Sequence, residues 1–584
     1  MADAFGFFPL KRRSVESQTI ATLPQPRPEY PRPRLERRRW INLNGEWEFG
    51  AGEQPRFDRR ITVPFCPQSE LSGIGERAPG DILWYRRRFA APPAERLLLH
   101  FGAVDYWAQV FVNGTEVARH EGGHAPFTAD LTSVAEGPEN ELVVRVEDHL
   151  HDPTIPRGKQ SWTDVSESIF YAPTSGIWQT VWLEPLAAGP VRRLRVRPDL
   201  AAGALELEVE AGGSIEVTAL LAGVAVGRFA GPPGLCRLEL ETVAAWSPES
   251  PRLFDLEIVV LDAAAKPVDE VRSYFGLRTV EAREGYFWLN GEPYVQRLVL
   301  DQGYFPGGLL TAPTDADLRR DIELAKAMGF NGARKHQKIE DPRWLYWADR
   351  LGFLVWAEMP SFHRHSEEAE RRLRTEWEAA VRRDRDHPSI VAWVPMNESF
   401  GIQDVDVDVR ARLLIELYEL THRLDETRPV VSNDGWEHAK TDLCTLHDYE
   451  GAEHLRSRYR SLDATLDPAG RPLPHYLPGY SYRGEPIIVS EFGGISLAGA
   501  GGWAYGEVGG PGELLAAYRA EVGALLGPGP VEGFCYTQLT DVEQERNGLL
   551  GFDRRPKLDP RLLRPVTETE KSRVPQTGSG ESIC

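Results

Sequence analysis

The feature that most constrains this chain is a rhythm in its second half. After Tyr274, short apolar runs alternate with helical patterns. YVQRLVLD, FNGARKH, FLVWAEMP, IVAWVPMNE, PVVSNDGW, DLCTLHDYE, PIIVSEFGG and GFCYTQLTD read as strands. DADLRRDIELAKAMG, PRWLYWADRLG, a charged run around Ser366–Asp386, ARLLIELYELTHRLD and Glu513–Leu526 read as helices. Eight strands, mostly with helices between them, over roughly 280 residues fit a (β/α)₈ TIM barrel spanning residues 277–565. A doubly wound open sheet is the alternative, but no glycine-rich nucleotide fingerprint follows the first strand.

The first half has a different texture. From Trp40 to about Pro185 the runs are short, apolar or aromatic, often alternating, and separated by turns. In VNGTEV, Asn113-Gly114 sits between two such runs, which predicts a tight hairpin. Residues 36–185 therefore read as an all-β sandwich of jelly-roll type. Residues 186–276 (VRRLRVRPDL, ALELEVEA, SIEVTALLAG, LFDLEIVVLD) fit a small immunoglobulin-like β-sandwich, without the Cys…Trp…Cys pattern of a true immunoglobulin domain. Residues 1–35 are rich in Pro and Arg and read as an extended lead-in. Residues 566–584 are polar and read as a disordered tail.

Composition narrows the classes of function. A formal net charge of −20 disfavours nucleic acid and anionic membrane as partners. No apolar run approaches the ~18 residues of a membrane span. The first thirty residues lack a signal-peptide core, so the cytoplasm is the expected location. Five scattered cysteines, with no CxxC pair, suggest neither a zinc cage nor a disulfide framework. The 16 Trp, 18 Tyr and 23 Phe are mostly core. Rings near Gly and Pro, with carboxylates and amides close by, also suit a carbohydrate. No interface stripe stands out, which leaves homo-oligomer formation open.

In a (β/α)₈ barrel the chemistry lies at the carboxyl ends of the strands. Those ends carry Asp301; Arg334 and His336; Glu358; Asn397 and Glu398; Asn433 and Asp434; His447, Asp448 and Tyr449; Glu491; and Gln538 with Asp541. Any one could be a strand end meeting solvent, but eight converging on one rim is harder to dismiss. Glu398 and Glu491 stand out because each follows an apolar strand. Two carboxylates facing one cleft are what glycoside cleavage requires. A separation of about 5–5.5 Å gives retention through a covalent sugar ester, and about 6.5–9.5 Å gives inversion.

HPSIVAWVPMNESFG (387–401) and IIVSEFGG (487–494) resemble the two catalytic segments of glycoside hydrolase family 2, the family of β-galactosidases, β-glucuronidases and β-mannosidases. WINLNGEWEFG, LWYRRRF, FVNGTEV and SGIWQTVWLEP are similar to its sugar-binding-type sandwich, and FWLNGEPYVQR to the segment opening its barrel. The resemblance covers nearly the whole chain. It implies Glu398 as acid/base, Glu491 as nucleophile, and Asn397 as the partner of the sugar 2-hydroxyl. The nucleophile needs a cation or donors beside it, and Arg334 and Tyr449 are the candidates. The expected substrate-facing set is Asn397, Arg334, His336, Asp301, Asn433, Trp436, His447, Tyr449, Gln538 and Asp541.

Blander readings exist for several of these. Arg334 could bridge a neighbouring carboxylate, His447 could pack on Trp436, and His336 could cap the rim. His387 reads as an anchor for the loop before the fourth strand. Asp152 and Trp162, in HDPTIPRGKQSWTD, either reach over the barrel mouth or sit in a solvated loop.

Departures from the family pattern bear on metal and substrate. Some of its β-galactosidases hold a metal with a Glu and a His after the third strand; here AEMPSFHRH puts Phe362 where the carboxylate would be. His363 and His365 alone make a poor magnesium site, so no metal or other cofactor is expected. The Asn-x-Lys element of its β-glucuronidases is missing, and Met396 precedes Asn397 where β-mannosidases have Asn. A β-galactosidase-like retaining exo-β-glycosidase is the leading expectation. A β-pentosidase, β-galactofuranosidase or β-glucuronidase follows, and a carbohydrate-binding protein with a dead barrel is the alternative of a different class.

Overall fold

The computed structural model describes residues 25–470 and 473–572. Two sandwiches precede a barrel. In the first, a six-stranded antiparallel sheet runs in the order Arg59–Val63, Gly45–Ala51, Ile82–Phe89, Asn140–Glu147, Trp107–Val112, Thr115–Glu121. It packs on a four-stranded sheet containing Val181–Leu186 and Arg96–Phe101, around Trp47, Phe49, Tyr85, Leu99, Val144 and Leu183. Strand Asn140–Glu147 buries every second residue, the period-two pattern of a strand with one wet face. Asn113 (φ +51°) and Gly114 (φ +80°) make the turn that Asn-Gly predicts.

The second sandwich pairs a three-stranded sheet (Arg193–Asp199, Ala204–Glu210, Gly234–Glu239) with a four-stranded one (Val224–Gly231, Ser214–Leu221, Phe254–Leu261, Pro267–Phe275). Leu205, Leu207, Val217, Phe254 and Ile258 fill it.

The barrel wall is a parallel sheet in the order Ile390–Val394, Leu354–Glu358, Gly332–Lys335, Gln296–Asp301, Val531–Thr537, Ile487–Gly493, Cys444–His447. These are the fourth, third, second, first, eighth, seventh and sixth positions of a (β/α)₈ barrel. Ile390–Val394 is buried throughout because one face meets the barrel interior and the other the helices. Leu298, Leu300, Trp356, Val431, Ile488 and Cys535 pack the interior, and Phe287 and Leu289 of a small preceding sheet join the same cluster.

The fifth strand is a correction. PVVSNDGW forms no regular strand; it holds the fifth position through bridges from Val430 to Trp393 and from Asn397 to Asp434. Pro429 has no N–H, and the side chains of Ser432 and Asn433 bond backbone carbonyls of Lys440 and Trp436, which competes with a ladder.

The ends need correcting too. Residues 1–24 lie outside the described residues, and 25–35, within the expected extended lead-in, are packed against the rest of the chain. Arg27 is buried and pairs with Asp341 of the barrel, Tyr30 is buried, and Pro33–Leu35 forms a 3₁₀ turn. At the other end, helix Pro560–Thr567 buries Val566 and Thr567, and Lys571 Nζ donates to Gly527 and Gly529 carbonyls. The expected tail therefore does not begin at 566; residues 573–584 lie outside the described residues.

Candidate active site

The fourth strand ends in a turn that the fifth segment holds. Glu398 and Ser399 both lie at φ +52°, a left-handed conformation that costs a non-glycine residue of order 1 kcal/mol or more. Backbone bonds from Glu398 N to Asp434 O and from Asp434 N to Met396 O, both 2.9 Å, over-determine it. Asn433 Oδ1 accepts from Ser399 N at 2.9 Å and its Nδ2 donates to Ser399 Oγ at 3.1 Å. Asn433, expected to face substrate, is therefore occupied in shaping the turn that presents Glu398.

Arg334, from the second strand, is fully buried beneath this turn. Its Nη1 donates to Glu491 Oε1 (3.0 Å) and lies 2.6 Å from Asp434 Oδ2. Its Nη2 donates to Asn397 Oδ1 at 3.0 Å, and its Nε to Glu358 Oε1 at 2.7 Å. Glu358 also accepts from His336 Nδ1 (2.9 Å) and Gln337 N (3.0 Å). Burial pulls the Arg334 pKa down, but Asp434, Glu358 and Glu491 hold it well above the ordinary value.

His447 stands between the two glutamates. Nδ1 lies 2.6 Å from Glu398 Oε1, while Nε2 lies 2.7 Å from Asp434 Oδ2 and 3.4 Å from Glu491 Oε1. Burial opposes its charge, yet Glu491, Asp434 and Glu398 push its pKa up to about 10. It also packs edge-on against Trp436, centroids 5.5 Å apart. Tyr449 donates to Glu491 Oε2 and stacks on Tyr505. Burial would raise the Glu491 pKa; His447, Arg334, His336 and the Tyr449 hydroxyl bring it down instead, to about 2. Glu491 is thus a carboxylate held ionised. One ligand atom from each of Glu398, His447 and Glu491 lies within 4.8 Å of the others.

Among the described residues, the buried donors Asn397 Nδ2 and Trp436 Nε1 have no partner. An unsatisfied buried donor is costly, and a hydroxyl-rich ligand would relieve both.

Three expected residues are spent elsewhere. Asp301 is ion-paired with Lys335 (2.8 Å) and accepts from Gly303 N. Gln538 is held between Gln302 and Asn547, and Asp541 pairs with Lys557 at 2.6 Å. Asp434 and Glu358, absent from the expected substrate-facing set, prove central to the charge network. Their place at strand ends was the available signal. His387 bonds Asp349 at 2.5 Å, just before the fourth strand. His365 pairs with Glu370 (2.8 Å) and His363 stacks on Trp162 (centroids 3.8 Å).

The first sandwich does reach the rim. Arg157 N and Gly158 N donate to Ser361 O, and His363 N and Arg364 N donate to Pro153 O. Asp152 lies 3.2 Å from Arg372, and Gln544 Nε2 donates to Ser168 and Phe170 carbonyls. The loop is docked on the segments after the third and eighth strands.

Family profiles match along this same order of domains. "Glycosyl hydrolase 2 galactose-binding domain-like" matches residues 74–167, "Glycosyl hydrolases family 2" matches 205–278, and "Glycosyl hydrolases family 2, TIM barrel domain" matches 311–507. The chain belongs to glycoside hydrolase family 2. Among its relatives are a β-glucuronidase of Paenibacillus borealis, 26% identical over 517 residues, covering 78% of this chain and 83% of that protein. A β-galactosidase of Thermoanaerobacter pseudethanolicus is 24% identical, covering 72% of this chain and 59% of that one. A protein of Formosa agariphila described as a putative β-glucuronidase is 26% identical, covering 73% of this chain; the chain spans 52% of its length. The fold matches a β-glucuronidase of Ruminococcus gnavus solved with D-glucuronic acid: TM-score 0.76, 21% identity, 94% of this chain and 100% of that one.

Proposed function

We propose that this family 2 member is a retaining exo-β-glycosidase, with Glu491 as nucleophile and Glu398 as acid/base. The observation that carries this reading is the approach of Glu398, His447 and Glu491 atoms to within 4.8 Å. That is closer to the ~5–5.5 Å of retaining pairs than to the ~6.5–9.5 Å that leaves room for a water in inverting ones.

In the first step Glu491 attacks the anomeric carbon while Glu398 gives its proton to the departing oxygen. The electron pair of the broken C–O bond leaves with the aglycone, and a glycosyl ester forms on Glu491. In the second step Glu398 takes a proton from water, which attacks the same carbon and frees Glu491. Arg334 positions two partners at once, Glu491 and the side-chain Oδ1 of Asn397. The Asn397 Nδ2 is thereby left to donate to the sugar 2-hydroxyl. Tyr449 steers the second oxygen of Glu491.

Two terminal sugars head the panel to test. A β-galactoside follows from the missing Asn-x-Lys element. A β-glucuronide is suggested by the names of several relatives. Nitrophenyl β-glycosides offered to the purified protein test the reading, with the first-formed anomer followed by proton NMR. The β-anomer first is expected; the α-anomer first, or no turnover of any glycoside, rejects it.

A further inference from the structure

The docked loop of the first sandwich carries a cation that the hydrolytic scheme does not use. Lys159 is 7% exposed. The bonds of Arg157 and Gly158 to Ser361 bring it to the rim from one side. Tyr171, whose N donates to Lys159 O and whose hydroxyl donates to Glu545, fixes it from the other. Its Nζ lies 5.5 Å from the ring centre of Phe400, two residues beyond Glu398, and 5.7 Å from that of Phe170.

What sets Lys159 apart from the other buried lysines, Lys335 and Lys338, is the lack of a counter-ion. Lys335 Nζ pairs with Asp301 (2.8 Å) and Glu340 (2.7 Å), and Lys338 Nζ with Glu340 (3.0 Å) and two carbonyls. For Lys159, among the described residues, no carboxylate oxygen lies within the 4.0 Å of an ion pair and Nζ donates to no acceptor. The nearby Glu545 is already engaged by Tyr171 and by Asn547 Nδ2 at 3.0 Å, although its charge is felt. Arg157 is turned toward the carbonyls of His149 and Asp152. An ammonium on a largely buried side chain, beside two aromatic faces and with no ion-pair partner of its own, is a ready partner for an acidic ligand.

We propose that Lys159, contributed by the first sandwich, binds the carboxylate of a terminal uronic acid and so stands in for the missing Asn-x-Lys lysine of the barrel. The proposal rests on the glycosidase reading above and adds a substrate class to it. The ring pair Phe170 and Phe400 would line the approach, keeping water from screening the charge.

The test compares kcat/KM for nitrophenyl β-glucuronide and nitrophenyl β-galactoside in wild type, Lys159→Met and Lys159→Arg, with thermal unfolding as a check of the fold. Wild type is expected to favour the glucuronide. Lys159→Met should lose about 10- to 100-fold on it, mainly through KM, the size of one charge-assisted bond. The galactoside should be little changed, and Lys159→Arg should keep part of the preference. Equal losses on both substrates, an unchanged glucuronide rate, or a wild type active only on neutral sugars would overturn the role of Lys159 while leaving the glycosidase reading intact. No turnover of any glycoside by folded wild type would overturn that reading itself. A measurement on wild type alone stands if the variants do not fold: free glucuronate should inhibit more tightly than galactose, with a constant that weakens as salt rises, and equal inhibition would overturn the proposal.

Discussion

Arg334 donates to Glu491 across the barrel floor, Nη1 to Oε1 at 3.0 Å, with both side chains buried. The same guanidinium touches Asn397, Glu358 and Asp434. A buried cation shared in this way is compensated only while all its partners stay in place.

Removing Arg334 is therefore expected to be severe. Arg334→Met would leave buried carboxylates without their cation, a situation that typically costs 3–5 kcal/mol. Denaturant unfolding should show a loss of that order, and turnover should fall below detection. A variant with wild-type stability and activity would contradict the shared-cation account.

Stability should depend on pH from both sides. The Glu491 pKa lies below its ordinary value, so its contribution is present above about pH 4.3. It is lost as pH falls through about 2. The His447 pKa is raised, so its contribution is full below about pH 6.5. It is lost as pH rises through about 10. Melting temperature measured from pH 6 to 10.5 should decline on the alkaline side in wild type, and His447→Gln should flatten that decline. An equally steep alkaline limb in the variant would remove His447 as its cause.

Asn397 should act through one hydroxyl. Its Nδ2 has no partner among the described residues, while its Oδ1 is fixed by Arg334. Asn397→Ala is expected to cut kcat/KM about 100-fold on a normal glycoside and far less on the 2-deoxy analogue, since the bond it removes is then missing from both. Equal losses on the two substrates would place its role elsewhere.

The docked loop should matter for activity despite belonging to another domain. Gly158 has φ +59°, and a Cβ there would sit 2.4 Å from Gln337 O. Gly158→Ala should displace the loop from Ser361, lowering kcat/KM several-fold and destabilising by about 1–3 kcal/mol. Unchanged kinetics and melting would show the docking to be incidental.

Much of this site could be read from strand ends. Glu398 and Glu491 each follow an apolar strand, Arg334, His447 and Tyr449 sit at other strand ends, and barrel geometry gathers such ends on one rim. Three things could not be read that way. Pro429, Ser432 and Asn433 break the fifth strand because local side-chain bonds outcompete the ladder. Asp301, Gln538 and Asp541 face partners of their own, Lys335, Asn547 and Lys557, which only the folded loops reveal. Lys159 reaches the rim from a different domain, through backbone bonds with Ser361, and no periodicity encodes a contact between distant segments.

The central claim is that Glu491 forms a covalent sugar ester. It is tested most directly by incubating the protein with a 2-deoxy-2-fluoro-β-glycosyl fluoride of whichever sugar it turns over, then digesting and mapping the labelled peptide by mass spectrometry. The account predicts one added sugar, carried by Glu491 in IIVSEFGG. A sugar on a different residue, or no label on protein that still hydrolyses the parent glycoside, would contradict it.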